Sequence, residues 1–330
     1  MNIKKLITTI DTHTEGGPTR TVLSGIPVLR GLTVKDKMEH FKKNFDDLRK
    51  LLLHEPRGHQ GIFGAVITDP SDSRAHMGVF FLTHSGYLNM CVHSAIGAAT
   101  ACLEIGIIEK PDPGNCVILE TPTGLVSLLP CYSGNRLNSV TIQTNPAFVF
   151  IAESELDMGF KTPLKIALVF SEVFFVLLDV TQIRICIDQQ RIPELIDIGF
   201  KIIEAANRQF DIHHPENPDI CQVELAMLYE DIDGKRAKSA VISRTGSLDR
   251  SPCGAGTGAK LAYLHVMNRL KLEELYVNES VFGTKFEGKA IKAVRVGSFK
   301  GILPQISGSA YITGWHQFIL EEKDPLKTGL

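Results

Sequence analysis

The segment Met90-Cys91-Val92-His93-Ser94 stands directly before a run of small and apolar residues that reaches Ile105. A second segment, Asp249-Arg250-Ser251-Pro252-Cys253-Gly254-Ala255-Gly256-Thr257, precedes a similar run that ends near Leu270. Apolar residues cover nearly every helical face of both runs, so the pattern predicts two helices that are buried inside sheet. Each helix is expected to begin at a cysteine, Cys91 in one and Cys253 in the other.

Short β-patterned segments surround the two predicted helices. In the first half they are Thr8 to Asp11, Arg20 to Leu23, Gly64 to Ile67, Val79 to Thr83, Val117 to Thr121 and Val140 to Gln143. In the second half they are Leu164 to Val169, Phe174 to Val180, Val223 to Tyr229, Ala240 to Ser243, Tyr276 to Ser280 and Ala310 to Thr313. Two further helices are predicted at Thr33 to Leu53, which is amphipathic, and at Pro193 to Gln209.

The order strands, buried helix, strands therefore occurs twice, and about half the chain separates the two cysteines. This order predicts two similar α/β halves with a cleft between them. The first half is expected to comprise residues 1–145 with 312–330 and to carry Cys91, and the second to comprise residues 146–311 and to carry Cys253. A segment rich in Gly, Ser and Pro, Gly297 to Ser309, is expected to return the chain to the first half.

Composition excludes several classes of partner. The 330 residues are 44% hydrophobic and 22% charged, with a formal net charge of −2 and no long block of like charge. No nucleic-acid or polybasic membrane partner is therefore expected. No stretch reaches the roughly 18 apolar residues of a membrane span. The N-terminus lacks the features of a signal peptide, so a cytoplasmic location is expected.

Seven cysteines with irregular spacing argue against a disulfide framework and for a reducing compartment. Five of them lie among apolar or strand-like neighbours and are predicted to be ordinary buried or part-buried thiols: Cys102, Cys116, Cys131, Cys186 and Cys221. Cys91 and Cys253 differ because glycine, small residues and polar groups surround them.

A cysteine at a helix N-terminus lies at the positive end of the helix dipole, where its thiolate is favoured. The free backbone N–H groups there also bind a carboxylate. Two such units facing each other would hold a small acid between two thiols. That arrangement suits removal of a proton from one face of a carbon and its delivery to the other.

Other interpretations of the two cysteines are weaker. Cys91 is an ordinary buried thiol in the simplest alternative, with His93 as a polar neighbour. Cys91, His93 and Cys253 supply three ligands for zinc, but Pro252-Cys253 is not followed by the second cysteine of deaminase-type sites. A Cys–His hydrolase has no use for two equivalent cysteines.

Several segments resemble the proline racemase family, whose members share the fold of diaminopimelate epimerase, and the similarity runs nearly end to end. They are Asp11-Thr12-His13-Thr14-Glu15-Gly16-Gly17-Pro18-Thr19-Arg20, His54-Glu55-Pro56-Arg57-Gly58-His59, Gly86-Tyr87-Leu88-Asn89-Met90-Cys91, Asp249-Arg250-Ser251-Pro252-Cys253-Gly254 and Ala310 to Trp315. The resemblance implies two pseudo-symmetric halves, each a mixed, barrel-like sheet around a buried central helix, with the active site between them.

The same resemblance implies an isomerase in which Cys91 and Cys253 are the acid and base of a racemisation without cofactor or metal. It assigns the substrate carboxylate to backbone amides at the two helix starts, those of Val92, His93, Ser94, Gly254 and Ala255. Asp249 and His93 would face the ring nitrogen and its surroundings, and Phe63 would lie against the pyrrolidine ring. The implied partner is a small molecule, proline or hydroxyproline, and a homodimer is compatible with the family.

The chain departs from the family pattern at positions that bear on substrate. Val92 replaces a glycine and Ala255 a threonine, while Leu225 and Ser243 fall where proline racemases tend to have other pocket residues. Family members that dehydrate trans-3-hydroxyproline typically carry threonine in place of Cys253, so two cysteines favour racemisation or epimerisation.

Phe63 favours proline over 4-hydroxyproline, because an apolar wall leaves a hydroxyl unsatisfied. An amino-acid-binding protein of the same fold is the non-enzymatic alternative, and binding alone needs neither cysteine.

Overall fold

The computed structural model describes residues 3–159 and 162–330. The chain divides into two compact units, Met1–Ile142 with Gly308–Leu330, and Gln143–Ser307. Each unit combines β-strands with one solvent-facing and one buried helix. The predicted α/β class is confirmed. Among the described residues, no helix has the length and apolar character needed to cross a membrane.

The first unit has helices α1 (Val34–Leu53) and α2 (Val92–Glu104). Its strands are β1 (Ile3–Thr14), β2 (Gly17–Ser24), β3 (Phe63–Thr68), β4 (Met77–Leu82), β5 (Tyr87–Leu88), β6 (Val117–Thr121), β7 (Gly124–Ser133), β8 (Arg136–Gln143) and β17 (Ala310–Glu321). The ladder runs β17-β1-β2-β3-β4-β6-β7-β8, with parallel pairing at β2–β3 and β4–β6 and antiparallel pairing elsewhere.

The second unit has helices α3 (Ile192–Gln209) and α4 (Gly254–Val266). Its strands are β9 (Ala147–Leu156), β10 (Leu164–Ser171), β11 (Val173–Asp179), β12 (Val223–Asp233), β13 (Arg236–Ser243), β14 (Tyr276–Ser280), β15 (Lys285–Val296) and β16 (Phe299–Gly308). Successive strands pair, and β16 pairs back to β9, which closes an eight-stranded barrel with parallel pairing at β11–β12 and β13–β14. Helix α4 packs against β9, β10, β11 and β15.

The β1–β2 hairpin contains the first family-like segment. Its turn residues Glu15 and Gly16 both have positive φ, 46° and 94°, as the tightest hairpin turns require. Asp11 pairs across the hairpin with Arg20, whose Nη2 lies 2.8 Å from an Asp11 carboxylate oxygen. Arg20 also donates to the carbonyl oxygens of Leu52 and Arg57. These residues therefore hold the hairpin against the C-terminal end of α1 and the segment that follows it.

Helix α1 begins at a capping box, in which Thr33 and Asp36 each accept from the other's backbone N–H. Its apolar face, including Val34, Met38 and Phe41, packs in the core of the first unit. The predicted amphipathic helix is therefore confirmed.

Three of the five cysteines predicted to be buried or part-buried are exposed, and that prediction is wrong for Cys131, Cys186 and Cys221. On β7 the buried side chains alternate up to Pro130, so Cys131 points to solvent. Cys186 and Cys221 lie outside helices and strands. Cys102 is buried and Cys116 part-buried, as predicted.

The Gly-, Ser- and Pro-rich segment 297–309 forms strand β16 over most of its length. A proline fits this strand because Pro304 lies opposite Ala290, beside a register shift between Ala290 and Lys292 where the ladder is irregular. The carbonyl oxygen of Pro304 accepts from the N–H of Thr144.

Candidate active site

Helix α2 begins directly after Cys91, which is its N-cap residue with extended backbone angles (φ −149°, ψ 111°). Every residue of the helix from Val92 to Leu103 is buried, and α2 packs against β1, β2, β3 and β17. The Cys91 side chain is 8% exposed. The predicted buried helix is confirmed, and it places a largely enclosed thiol at its N-terminus.

Close packing around α2 depends on Gly97. A Cβ atom at this position would lie 2.6 Å from Oγ1 of Thr12 and 3.1 Å from Oγ1 of Thr14, both on β1. These distances leave no room for a side chain. The first turns of α2 are therefore seated against the polar side chains of β1.

The Cys91 thiol has two polar neighbours on the helix. Its Sγ lies 3.2 Å from Oγ of Ser94 and 3.6 Å from Nδ1 of His93. Thr19 on β2 donates to Oγ of Ser94 at 3.1 Å, and Thr14 on β1 donates to the carbonyl oxygen of His93 at 2.7 Å. Thr14 and Thr19 are fully buried, and their place in the sequence did not mark them as site residues. They fix the first turn of α2 beneath the thiol.

Phe63 begins strand β3 and lies beside the same helix start. Its ring meets the ring of His93 edge to face, with centroids 4.5 Å apart. The first unit thus brings together all of its predicted site residues: Phe63, Cys91, Val92, His93 and Ser94.

Helix α4 begins directly after Cys253, which is 6% exposed. Cys253 has positive φ (62°) with ψ 108°, a backbone conformation that a non-glycine residue rarely adopts. The N–H of Gly256, in the first turn of α4, donates to Sγ of Cys253 at 3.3 Å. The thiol thus lies against the amides of its own helix.

Asp249 supports the turn that precedes Cys253. One carboxylate oxygen of Asp249 accepts from both the N–H and the Oγ of Ser251 at 2.9 Å. Oγ of Ser251 in turn accepts from the N–H of Cys253 at 3.1 Å. The second unit thus places Asp249, Cys253, buried Gly254 and half-buried Ala255 on one short segment.

Leu225 and Ser243 form a cross-strand pair between β12 and β13, so their side chains share a face of the barrel wall. The Ser243 hydroxyl lies 2.7 Å from Oγ1 of Thr245 and 2.7 Å from Oγ of Ser247. It is therefore engaged within its own turn.

The two helix starts supply the same chemical groups. Each presents a thiol and several N–H groups at the positive end of a helix dipole, which favours a thiolate and a bound carboxylate. Cys102, in the last turns of α2, provides a contrast, because burial raises its pKa to about 12 and keeps it a thiol at neutral pH.

Comparison with known proteins places the chain in a family. The profile of the proline racemase family matches residues 9–330. The chain is 36% identical to a proline racemase from Acetoanaerobium sticklandii over 332 residues, covering 100% of this chain and 99% of that protein. It is 33% identical to a 4-hydroxyproline 2-epimerase from Streptosporangium roseum over 335 residues, covering 100% and 99%.

The fold agrees with that relationship. A hydroxyproline epimerase from Agrobacterium vitis, solved with bound trans-4-hydroxy-L-proline, superposes with a TM-score of 0.89 at 28% identity, covering 100% of this chain and 96% of that one. The closed mixed barrel around α4 and the ladder around α2 therefore form the diaminopimelate epimerase-like fold predicted from the sequence. The chain belongs to the proline racemase family and is an isomerase, a racemase or epimerase of that family.

Proposed function

We propose that this protein racemises proline at Cα with Cys91 and Cys253 as its two acid–base groups. One observation carries the proposal: each of the two buried helices begins at a nearly enclosed cysteine. Each Sγ lies within hydrogen-bond distance of the third residue of its helix. The distance is 3.2 Å from Cys91 Sγ to Ser94 Oγ and 3.3 Å from Cys253 Sγ to the backbone nitrogen of Gly256. Ordinary core cysteines such as Cys102 lack this placement.

The chemistry is demanding because an amino-acid α-proton is very weakly acidic. In the proposed reaction one cysteine, as thiolate, takes the α-proton while the other, as thiol, delivers a proton to the opposite face of the same carbon. The first cysteine ends as thiol and the second as thiolate, so protons balance in each turnover. The direction of reaction depends on which enantiomer is bound.

Backbone amides would hold the carboxylate while it becomes enediolate-like. We assign this role to the N–H groups of Val92, His93 and Ser94 on α2 and of Gly254 and Ala255 on α4. Amides at a helix N-terminus stabilise negative charge that grows during a reaction, since they are oriented before the reaction begins. Asp249 and His93 are assigned to the ring nitrogen and its surroundings.

The preferred substrate is proline, and 4-hydroxyproline is the alternative that the epimerase relative supports. Phe63 favours proline, because a ring hydroxyl against its apolar edge has no partner. Dehydration of trans-3-hydroxyproline is less favoured, because family members with that activity typically carry threonine in place of Cys253. Simple amino-acid binding does not account for thiols at both helix starts.

Chiral chromatography of L-proline, trans-4-hydroxy-L-proline and trans-3-hydroxy-L-proline after incubation with the protein tests the proposal. We expect L-proline to yield D-proline, and to react faster than either hydroxyproline. Inversion of 4-hydroxyproline alone would make the protein an epimerase, and loss of water from 3-hydroxyproline would make it a dehydratase. No change in any of the three, with no α-proton exchange in deuterated water, would indicate a binding protein.

A further inference from the structure

We propose that Asn278 and Thr257 are positioning residues that hold Cys253 in its unusual backbone conformation and thereby aim its thiol. The inference rests on the proposed function, because it gives Cys253 an acid–base role. Asn278 lies outside the two segments that contain the cysteines, and Thr257, the last residue of the second segment, has no assigned role in the proposed reaction.

The need for such residues follows from the backbone. Cys253 has φ 62° and ψ 108°, where its Cβ crowds the neighbouring peptide groups. Cys91, at the start of the corresponding helix, has φ −149° and ψ 111°, which any residue adopts freely. Unusual angles at a non-glycine residue persist where the surrounding structure holds them, and they concentrate at functional sites.

Side chains bind both peptide groups that flank Cys253. In the preceding peptide, the Pro252 carbonyl accepts from Nδ2 of Asn278 at 2.8 Å and the Cys253 N–H donates to Oγ of Ser251 at 3.1 Å. In the following peptide, the Cys253 carbonyl accepts from Oγ1 of Thr257 at 2.8 Å. The rotations on either side of the Cys253 Cα are therefore both restrained.

Asn278 joins these two restraints. Its Nδ2 donates to the Pro252 carbonyl and also, at 3.0 Å, to Oγ1 of Thr257. Since Pro252 offers only an acceptor there, the amide orientation is fixed by chemistry. Asn278 is fully buried on β14, and its Oδ1 has no hydrogen-bond partner among residues 3–159 and 162–330. A buried amide with one unsatisfied atom lowers the stability of the fold. Its presence at this position therefore points to a role other than stability, which we assign to holding the turn.

The position in the first unit that corresponds to Thr257 cannot supply this restraint. Thr257 is the fourth residue after Cys253, whereas the fourth residue after Cys91 is Ala95, which has no hydroxyl. The restraint accompanies the strained cysteine and is missing beside the relaxed one.

Thr257→Val tests the inference without a large change in shape. It removes one hydroxyl and keeps the branched side chain. We expect kcat for racemisation to fall about 10- to 100-fold, since small displacements of a reacting group have effects of that size. Thr257→Ser restores the hydroxyl and should recover most of kcat. Thr100→Val is the matched control, because Thr100 is buried in α2 and its hydroxyl has no partner in the described part of the chain.

A second readout does not depend on activity. The rates at which iodoacetamide labels Cys253 and Cys91 are measured by peptide mass spectrometry. Thr257→Val and Asn278→Ala should change the labelling rate of Cys253 and leave that of Cys91 unaltered, whereas general destabilisation would change both. Wild-type kcat and wild-type labelling of Cys253 in Thr257→Val would overturn the inference. Retained activity in Cys253→Ser would instead refute the acid–base role of Cys253, and the labelling result would still decide the positioning role.

Discussion

The ring of Phe63 stands edge-on to the ring of His93, with the two planes at 86° and the centroids 4.5 Å apart. His93 is the second residue of α2, and its carbonyl oxygen is held by Thr14. Phe63 is thereby fixed beside the helix start that carries Cys91. In the proposed reaction, this apolar edge would face the pyrrolidine ring of the substrate.

We therefore predict a higher kcat/KM for proline than for 4-hydroxyproline. A hydroxyl that loses its partners costs about 1–3 kcal/mol, which corresponds to roughly 5- to 150-fold in rate. Ser243 is a weak candidate to rescue that hydroxyl, because its own is within 2.7 Å of Thr245 and Ser247. Steady-state kinetics on both substrates measure the preference. If 4-hydroxyproline is turned over faster, the prediction is wrong, and Ser243→Ala should then reduce that preference.

The packing of α2 leads to a second prediction, Gly97→Ala. A new Cβ would lie 2.6 Å from Oγ1 of Thr12, so either the buried Thr12 side chain or α2 must shift. Overpacking of this kind typically costs about 1–3 kcal/mol and outweighs the gain in helix propensity from alanine. Urea unfolding measures the loss. Gly86→Ala is the control, because a Cβ there meets nothing within 4 Å, and equal stability of the two variants would contradict the packing argument.

A buried charge on α4 gives a prediction about pH. Lys260 is fully buried, with Nζ 2.9 Å from Oδ1 of Asp231 and 3.1 Å from the ring centroid of Tyr229. Burial lowers the pKa of Lys260 from 10.5 to about 8, and the attraction of Asp231 only partly opposes this. The folded chain therefore holds fewer protons than the unfolded chain between pH 8 and 10.5. Stability should rise with pH in that window, and below about pH 8 the cost of burying the charge is fully present.

Lys260→Met should remove this pH dependence. From about pH 8 to about pH 10, the free energy of unfolding of the wild type should gain about 2 kcal/mol relative to the variant. Asp231 keeps a partner in the variant, since Nη2 of Arg269 lies 2.9 Å from its other oxygen. Above about pH 10 the stability of both proteins should fall, because burial raises the pKa of Tyr276 and the unfolded chain then ionises first. Urea titrations of both proteins at several pH values test this, and parallel curves would contradict it.

The sequence predicts the two central helices well because their apolar residues cover nearly every face, a pattern typical of helices enclosed by sheet. Several strands escape prediction, among them β9, β15 and β16. Residues 285–308 mix charged residues, glycines and a proline, and they become strands because barrel closure pairs β15 with β16 and β16 with β9. The conformation of those segments is therefore set by pairing with distant strands and not by the local pattern of residues.

The candidate site shows the same division. Cys91 and Cys253 stand out because each precedes small residues at a helix start. Thr14 and Thr19 do not stand out in the sequence, because the residues to which they donate hydrogen bonds, His93 and Ser94, lie 79 and 75 positions away. The positive φ of Cys253 could not be predicted from the sequence either, because a cysteine rather than a glycine occupies the position.

Metal independence is a further prediction. The proposed reaction uses two thiols and backbone amides, and it needs neither a Lewis acid nor an electron-accepting cofactor. Activity should survive dialysis against a strong chelator and should not respond to added pyridoxal phosphate. Turnover that is lost on chelation and restored by zinc would instead favour a metal role for Cys91, His93 and Cys253.

The central claim is that both cysteines carry protons, and Cys91→Ser and Cys253→Ser test it most directly. Serine is nearly isosteric with cysteine but far less acidic, so each variant should stay folded and lose racemisation. Cys102→Ala is the matched control, because the pKa of Cys102 is raised to about 12 and it takes no part in the proposed reaction. Chiral chromatography of proline should show wild-type turnover for Cys102→Ala and less than about a tenth of it, a barrier increase above roughly 1.4 kcal/mol, for each serine variant. More than that from either folded serine variant would contradict the two-thiol mechanism.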